Sequence, residues 1–450
     1  MQENKTSHAS TYYLYTIVYT NRSRYKDTHN FLVTATDIRG PWSEPVYLNC
    51  SGFDPSLFHD DDGRKWLVNM TIDHRADRER FSGIDIQEYN EQEKKVSGPI
   101  YRIFKGTEIH TTEGPNLMKK DGYYYLTCAE GGTEFGHCVT VARSKNITGP
   151  YEVDPRNPVL SSKAEESYPI QRAGHGQLVQ APDGTWYMAH LCSRPVQGCS
   201  ILGRETAIQN IIWTKEGWFQ IQKGGRLPDS EFFVLEDIEE NSAYVLGKED
   251  FDQEAIPWEF LTLREPAEKC GITLSERKGW LRIYGGNSLS SKYKQGFLAR
   301  RQQDFSLDCT VKMEFLPERY QHMAGLVCYY NYDNYHYLRV SRDEKLGVCI
   351  CVTSVENRKI TESKCVKLPE DTNLHYLKAQ IRRENLEFFY SPNGTEFEKI
   401  GITLDMRILS DERVNGNGFT GAMIGMACQD LQGDGCYADF DWIKYELKEN

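Results

Sequence analysis

Thr112-Glu113-Gly114-Pro115-Asn116-Leu117, then the pair Asp121-Gly122, then Tyr123-Tyr124-Tyr125-Leu126, is the stretch on which the fold turns, because the chain repeats it. Phe53-Asp54-Pro55-Ser56-Leu57 runs to Asp62-Gly63 and Lys65-Trp66-Leu67-Val68. Gly174-His175-Gly176-Gln177-Leu178 runs to Asp183-Gly184 and Thr185-Trp186-Tyr187-Met188. An Asp-Gly pair between hydrophobic runs is a hairpin signal. Eight residues before the Asp of each pair stands a polar residue: Asp54, Glu113 or His175. A hairpin unit recurring about every 60 residues predicts a propeller of small sheets. The inner strands of a propeller begin around one axis, so an acid, a second acid and a histidine are expected to converge on one pocket.

Each hairpin is followed by a further strand and a Gly-Pro pair. Phe31 to Thr36 leads to Gly40-Pro41, Ile84 to Gln87 to Gly98-Pro99, and Val139 to Arg143 to Gly149-Pro150; the three pairs read as turns. A fourth, degenerate unit is read from Arg204-Glu205-Thr206-Ala207-Ile208-Gln209 and from Trp213 to Ile221. Run backwards, the register matches Tyr12-Tyr13-Leu14-Tyr15 to the strand after a turn and puts the turn near Ala9-Ser10. The slot equivalent to Asp54 then falls at Met1, so the chain is expected to lack its first blade and part of the second. Such a gap leaves an open sheet edge, which closed propellers avoid.

Composition narrows the function. The chain has 450 residues and a net charge of −12, with acidic and basic residues interspersed, which argues against a nucleic-acid partner. No window approaches the 18 apolar residues of a membrane helix, and the polar Met1–Ser10 stretch is no signal peptide. The aromatic load of 27 Tyr, 19 Phe and 8 Trp suits sugar faces as well as strands. Thirteen scattered cysteines do not form a disulfide framework. Cys349 and Cys351 share a strand face but make only half of a zinc site, and buried free thiols are the expectation. Six glycosylation sequons (Asn4, Asn21, Asn49, Asn69, Asn146, Asn393) hint at secretion, although Asn69 falls within an expected strand. The compartment, cytoplasmic or secreted, stays open, as does assembly into a homo-oligomer.

The repeats occupy residues 1–235, an acidic linker 236–250, and strand-length alternations 251–450. Trp280-Leu281-Arg282-Ile283-Tyr284, Ala324 to Tyr330, and Ala422 to Cys428 exemplify the last part, which predicts a lectin-like, concanavalin A-like β-sandwich. The expected class is all-β.

Gly52-Phe53-Asp54-Pro55-Ser56-Leu57-Phe58-His59, Thr112-Glu113-Gly114-Pro115, Ala129-Glu130-Gly131-Gly132-Thr133, Leu202 to Gln209 and Gly418-Phe419-Thr420-Gly421 together resemble glycoside hydrolase family 43, specifically its β-xylosidases with a C-terminal sandwich. The resemblance covers nearly the whole chain. It implies a five-bladed propeller and an exo-acting enzyme that releases xylose from non-reducing ends of xylo-oligosaccharides with inversion. An α-L-arabinofuranosidase on the same scaffold, or a non-catalytic carbohydrate-binding protein, is the alternative. Inversion needs one carboxyl to protonate the leaving oxygen and another to activate water. By resemblance Glu113 is the general acid, and Asp54 raises its pKa by like-charge repulsion and orients it. His175 resembles a pocket-floor histidine, Arg204 an arginine on sugar hydroxyls, Phe53 and Thr133 pocket walls, and Phe419 an aromatic inserted by the sandwich. The substrate is expected to be a xylo-oligosaccharide or an arabinoside. No cofactor is implied as a requirement and no metal ligand is assigned; a calcium ion (Ca2+) at the propeller axis is left open. The family's base is an Asp of the first blade, which this sequence lacks, so the chain as written is expected to be inactive or nearly so.

Overall fold

The computed structural model describes residues 11–19, 24–231, 247–415 and 418–448. The expected turn at Ala9-Ser10, the slot at Met1, the sequons at Asn4 and Asn21, and most of the 236–250 linker lie outside the described residues. Every named sheet is antiparallel, so the all-β expectation holds. The residues form two compact units, the first built on 1–193 and 205–233, the second on 194–204 and 234–450.

The first unit carries four sheets in chain order, a four-blade propeller arrangement. They are β1 (Thr11–Val18), β2 (Thr28–Ala35) and β3 (Val46–Asn49); then β4 (Ser56–His59), β5 (Lys65–Ile72), β6 (Phe81–Asn90) and β7 (Lys95–Phe104). The third contains β8 (Glu113–Lys120), β9 (Tyr123–Glu130), β10 (Cys138–Ser144), β11 (Glu152–Val153) and the short β12 (Leu160–Ser161), which also pairs with β10. The fourth contains β13 (Gln171–Gln180), β14 (Trp186–Ser193), β15 (Glu205–Trp213) and β16 (Phe219–Ile221).

The Asp-Gly pairs do close the β4–β5, β8–β9 and β13–β14 hairpins. Asp121 and Gly122 both have positive φ (50° and 76°), the tight two-residue turn that matches strand twist. At the other two pairs only the glycine is left-handed, Gly63 at 86° and Gly184 at 89°, and the loops are longer. The reading of Gly98-Pro99 as a turn is corrected: both residues lie within β7. That strand is the edge of its sheet, and its pairing with β6 shifts register near Gly98, so proline removes no ladder bond.

Successive sheets pack face on face because side chains alternate across each strand. On β9, Tyr124 and Leu126 join Trp66, Val68 and Ile86 of the second sheet, whereas Tyr125 joins Met188, Ile211 and Phe219 of the fourth. A strand covered on both sides reads as a hydrophobic run, which is why Tyr123–Glu130 shows no polar alternation. Asp60 links the second and third sheets: its buried carboxylate accepts from Tyr124 OH at 2.8 Å and Lys119 Nζ at 2.9 Å. The first sheet packs Leu14 and Leu32 against Leu67 and Tyr89. Its other face bears an aromatic ladder, with Tyr15 stacked on Phe31 at 5.5 Å and Phe31 edge-on to Tyr47 at 5.8 Å; Tyr13 is 56% exposed. The sequon Asn69 is 2% exposed and donates to Ser51 and Met70 O, so it presents no acceptor to a glycan.

The second unit is a sandwich of two eight-stranded sheets. Leu281, Ile283, Leu307, Val311 and Phe440 of one sheet meet Leu326, Leu338, Ile350, Ile424 and Met426 of the other. Residues 194–204, which no motif separates from the repeats, belong to this unit. Val196, Ile201 and Leu202 enter its core, and Ala422 N donates to Ile201 O at 2.8 Å.

The sandwich buries two neutral histidines. His336 Nε2 lies 3.1 Å from Asp405 O and His375 Nε2 lies 2.9 Å from Phe315 O. Burial pushes both imidazoles down to about 4. The unfolded chain, with an ordinary value of about 6.5, binds more protons below that pH. Stability is therefore present above pH about 6.5 and lost progressively to about pH 4, by up to roughly 3 kcal/mol per histidine. Denaturant unfolding followed from pH 7 to pH 4 should show this slope, and His336→Asn with His375→Asn should flatten it even if both variants are less stable at pH 7.

Candidate active site

Asp54, Glu113 and His175 each sit where an inner strand begins and where its pairing is irregular. Between Glu113↔Ala129 and Asn116↔Thr127, two residues of β8 oppose one of β9. In β13 the register shifts twice, from Gln171 to Gly174 and again from Gly174 to Gln177, so His175 lies inside a bulge. Met70 N donates to Phe53 O while Ser56 pairs with Val68, which leaves Asp54 and Pro55 looped out before β4. Bulges re-aim side chains next to active sites. Backbone angles match this: Asp54, Gly114 and His175 have φ of 53°, 57° and 52°.

The three bulges meet. Asp54 Oδ2 accepts from Gly114 N at 3.0 Å, and Ser56 Oγ donates to Pro115 O at 2.6 Å. A β-carbon built on Gly114 would stand 2.6 Å from His175 Nε2, so the imidazole rests on the peptide next to Glu113. Asp54, Gly114, Asn116, His175, Gln177 and His190 line a cavity of about 610 Å³. Glu113 itself is not among the lining residues; it is 6% exposed, and its neighbour Gly114 lines the cavity.

Four residues that no motif singled out as functional complete the surroundings. Lys26 lies over the Phe53 ring, 4.1 Å from its centroid, and Phe53 packs edge-on to Phe81 at 5.9 Å. Burial lowers the Lys26 pKa, and nearby Arg80 lowers it further, while Glu113 and Asp54 oppose the shift. Both carboxylates thus share a cation. Glu130 is fully buried and accepts from Thr112 Oγ1 at 2.7 Å, Thr107 N at 2.8 Å and Thr107 Oγ1. It anchors the segment that delivers Glu113. His190, opposite the His175 bulge, is 2% exposed and its pKa is lowered by burial. It lies 2.9 Å from Leu191 O and 3.2 Å from Gln209 Nε2, and Gln209 in turn clasps the backbone of Asp229. The quoted strand motifs stopped at Met188, two residues short of His190. Lys26 precedes β2 in no motif, and only the third dimension brings it to Phe53.

Not every expected residue joins this cluster. Phe53 and Thr133 are not among the residues that line the cavity; Thr133 is half-buried in the β9–β10 loop. Arg204 and Phe419 belong to the second unit, where the guanidinium lies 4.6 Å from the ring centroid. Calcium takes six to eight oxygen ligands, waters and amide carbonyls among them, and the cavity's lining offers Asp54, Asn116 and Gln177 oxygens. Among the described residues the one trio of close ligand atoms is His322, Asp430 and Cys436, in the sandwich. Asp430 there spends both oxygens on four backbone N–H groups, as a loop brace.

A family model for glycosyl hydrolases family 43 matches residues 5–219, and one for the beta xylosidase C-terminal concanavalin A-like domain matches 248–446. A beta-xylosidase of Bacillus subtilis (strain 168) is 41% identical, the match covering 97% of this chain and 84% of the relative. The chain belongs to glycosyl hydrolase family 43. It is a glycosidase, as the motifs led one to expect. Xylosidase/arabinosidase 43B of Humicola insolens is also 41% identical, over 95% of this chain and 82% of that protein. The crystal structure of xylan beta-1,4-xylosidase from Bacillus halodurans C-125 superposes with a TM-score of 0.93 at 45% identity, covering 97% of this chain and 84% of that one. No helix among the described residues is long and apolar enough to cross a membrane.

Gly114 tests whether the convergence is sterically set. Gly114→Ala meets both a left-handed φ and the His175 ring, whereas Gly122→Ala meets only the φ, with nothing within 4 Å of its added carbon. The alanine at 122 should cost about 1–2 kcal/mol. The alanine at 114 should cost measurably more in denaturant unfolding and should also shift the His175 ring resonances. Equal losses at the two positions would remove the steric claim.

Proposed function

We propose that the chain is an exo-acting, inverting β-xylosidase with Glu113 as its general acid. The observation that carries this is the meeting of the β4, β8 and β13 bulges, with Asp54 bonded to the peptide beside Glu113 at the rim of a polar cavity. Glu113 donates the proton to the leaving glycosidic oxygen; its burial keeps it out of bulk water, where a carboxyl is a poor acid at neutral pH. Asp54 holds the acid's peptide through Gly114 N and adds like charge close to it. His175 forms the floor, and Phe53 and Thr133 border the sugar. The proposal extends to Arg204 and Phe419 as sugar-binding residues on the strength of the family motifs.

The names of the relatives support xylose as the released sugar, and the Humicola enzyme's name supports arabinofuranose as a second substrate. Release of 4-nitrophenol from the β-xyloside and from the α-L-arabinofuranoside separates the two. The first product's anomeric form, read by NMR, must be inverted.

Asp54 is the one carboxylate among the described residues lining the cavity. Glu113→Ala should lose most activity on alkyl xylosides, whose leaving groups need protonation, and least on activated aryl xylosides. Equal loss on both classes would remove Glu113 as the acid.

A further inference from the structure

The cysteine pair that the function leaves unused acquires a third partner in the fold. Cys349 and Cys351 lie on the strand Gly347–Glu356, whose Val348, Ile350 and Val352 face the sandwich core. The two thiols therefore share the opposite face. There they stand across the ladder from Ser341 and Arg339, and each is 1–2% exposed.

Cys365 enters from the other side. The short strand Val366–Lys367 pairs antiparallel with the same strand, Cys349↔Lys367 and Ile350↔Val366. Leu368 N donates to Val348 O at 2.8 Å, which makes Val348/Leu368 a hydrogen-bonded pair and Cys349/Lys367 a non-bonded one. Two places further, the alternation reaches Cys351, and the opposite position is Cys365. The ladder resumes immediately beyond it, with Ser363 N donating to Val352 O at 2.9 Å and Val352 N to Ser363 Oγ at 3.0 Å. Lys364 and Cys365 thus oppose Cys351 in a bulge held on both sides. Non-bonded antiparallel positions bring Cα atoms to about 4.5 Å, with side chains close, inside the 4.4–6.8 Å range of disulfides. Cys365 lies within side-chain hydrogen-bonding range of both Cys349 and Cys351. Unlike them it is exposed.

We infer that Cys349, Cys351 and Cys365 form an oxidisable three-thiol site in which Cys365 reacts first with a low-molecular-weight disulfide and then closes a cross-strand bridge to Cys351. The Cys365 thiolate attacks one sulfur of the disulfide R–S–S–R, forming Cys365–S–S–R and releasing one R–S⁻, which takes up a proton. The Cys351 thiol gives its proton to solvent and attacks Cys365 Sγ, expelling the second R–S⁻, which is protonated in turn. Two protein thiols and one R–S–S–R become one protein disulfide and two R–SH. Order follows from access: burial pushes the Cys349 and Cys351 thiols up to about 12, so neither is the entry point. Cys349, on the same face two residues away, is the reserve partner. The three sulfurs do not close into a soft-metal cage, since the only trio of mutually close ligand atoms among the described residues lies elsewhere. Closure ties the sheet's last strand, Lys359–Glu362, to the strand beside it through the segment that carries Cys365.

The test uses the native full chain and oxidised glutathione. After incubation the remaining thiols are alkylated under acid quench, and unreduced peptides are mapped by mass spectrometry. Cys365 should appear joined to Cys351, with the loss of two hydrogens and of two free thiols per chain, reversed by dithiothreitol. Exposed Cys50, which neighbours the Tyr47 phenol rather than another thiol, should instead keep its glutathione adduct. Cys351→Ser should move the bridge to Cys349, and Cys349→Ser with Cys351→Ser should leave a stable adduct on Cys365. The inference is overturned if wild-type Cys365 retains glutathione as Cys50 does, or if the bridge forms only after denaturation.

Discussion

One backbone device underlies the site: an inner strand that enters its sheet through a bulge, with a residue in the left-handed region. At Asp54, Gly114 and His175 this turns a side chain or a peptide out of the pleat and toward the neighbouring sheet. A regular strand would send those groups alternately into the two flanking interfaces, where Tyr124 and Tyr125 go. A bulge frees them from that alternation. The bond from Gly114 N to Asp54 Oδ2 is possible because neither partner belongs to a regular ladder at that point. Left-handed residues are costly, and the cost is sustained by the interfaces on either side of β9, which leave the third sheet no alternative position.

Around that device the protein places buried polar groups whose purpose is to hold backbone. Glu130 accepts three hydrogen bonds from the loop before Glu113; Gln209 holds His190 and the chain at Asp229; Asp60 joins the second and third sheets through Tyr124 and Lys119. Each is a charge or amide out of water that is satisfied several times over, the condition under which burial is tolerable. Lys26 differs. It lies over the Phe53 ring, and the lowering of its own pKa by burial and Arg80 is opposed by the charges of Glu113 and Asp54.

Particular residues show where reading along the chain stops. Asp-Pro, Glu-Gly-Pro and Gly-His-Gly stand at equal offsets, which marked a shared slot but not the bulges that the strand pairing reveals there. Reading Gly-Pro as a turn failed at Gly98-Pro99, since nothing local distinguishes a turn from a register shift on an edge strand. Glu130 stood inside a quoted motif, yet its partners Thr107 and Thr112 lie on a loop whose path depends on the third sheet. Residues 194–204 have strand-like and loop-like stretches with no mark that Val196, Ile201 and Leu202 would be claimed by the sandwich core.

By itself the sequence determined the all-β class, the hairpin repeat, the sandwich after it, and which acids and histidine share a slot, because periodicity and turn chemistry are local properties of the chain. Only the tertiary structure decided that Asp54 grips the peptide beside Glu113, that Lys26 attends both carboxylates, and that Cys365 comes opposite Cys351. Those contacts join residues far apart in the chain, and their geometry is set by how sheets pack and strands register, which no short stretch encodes.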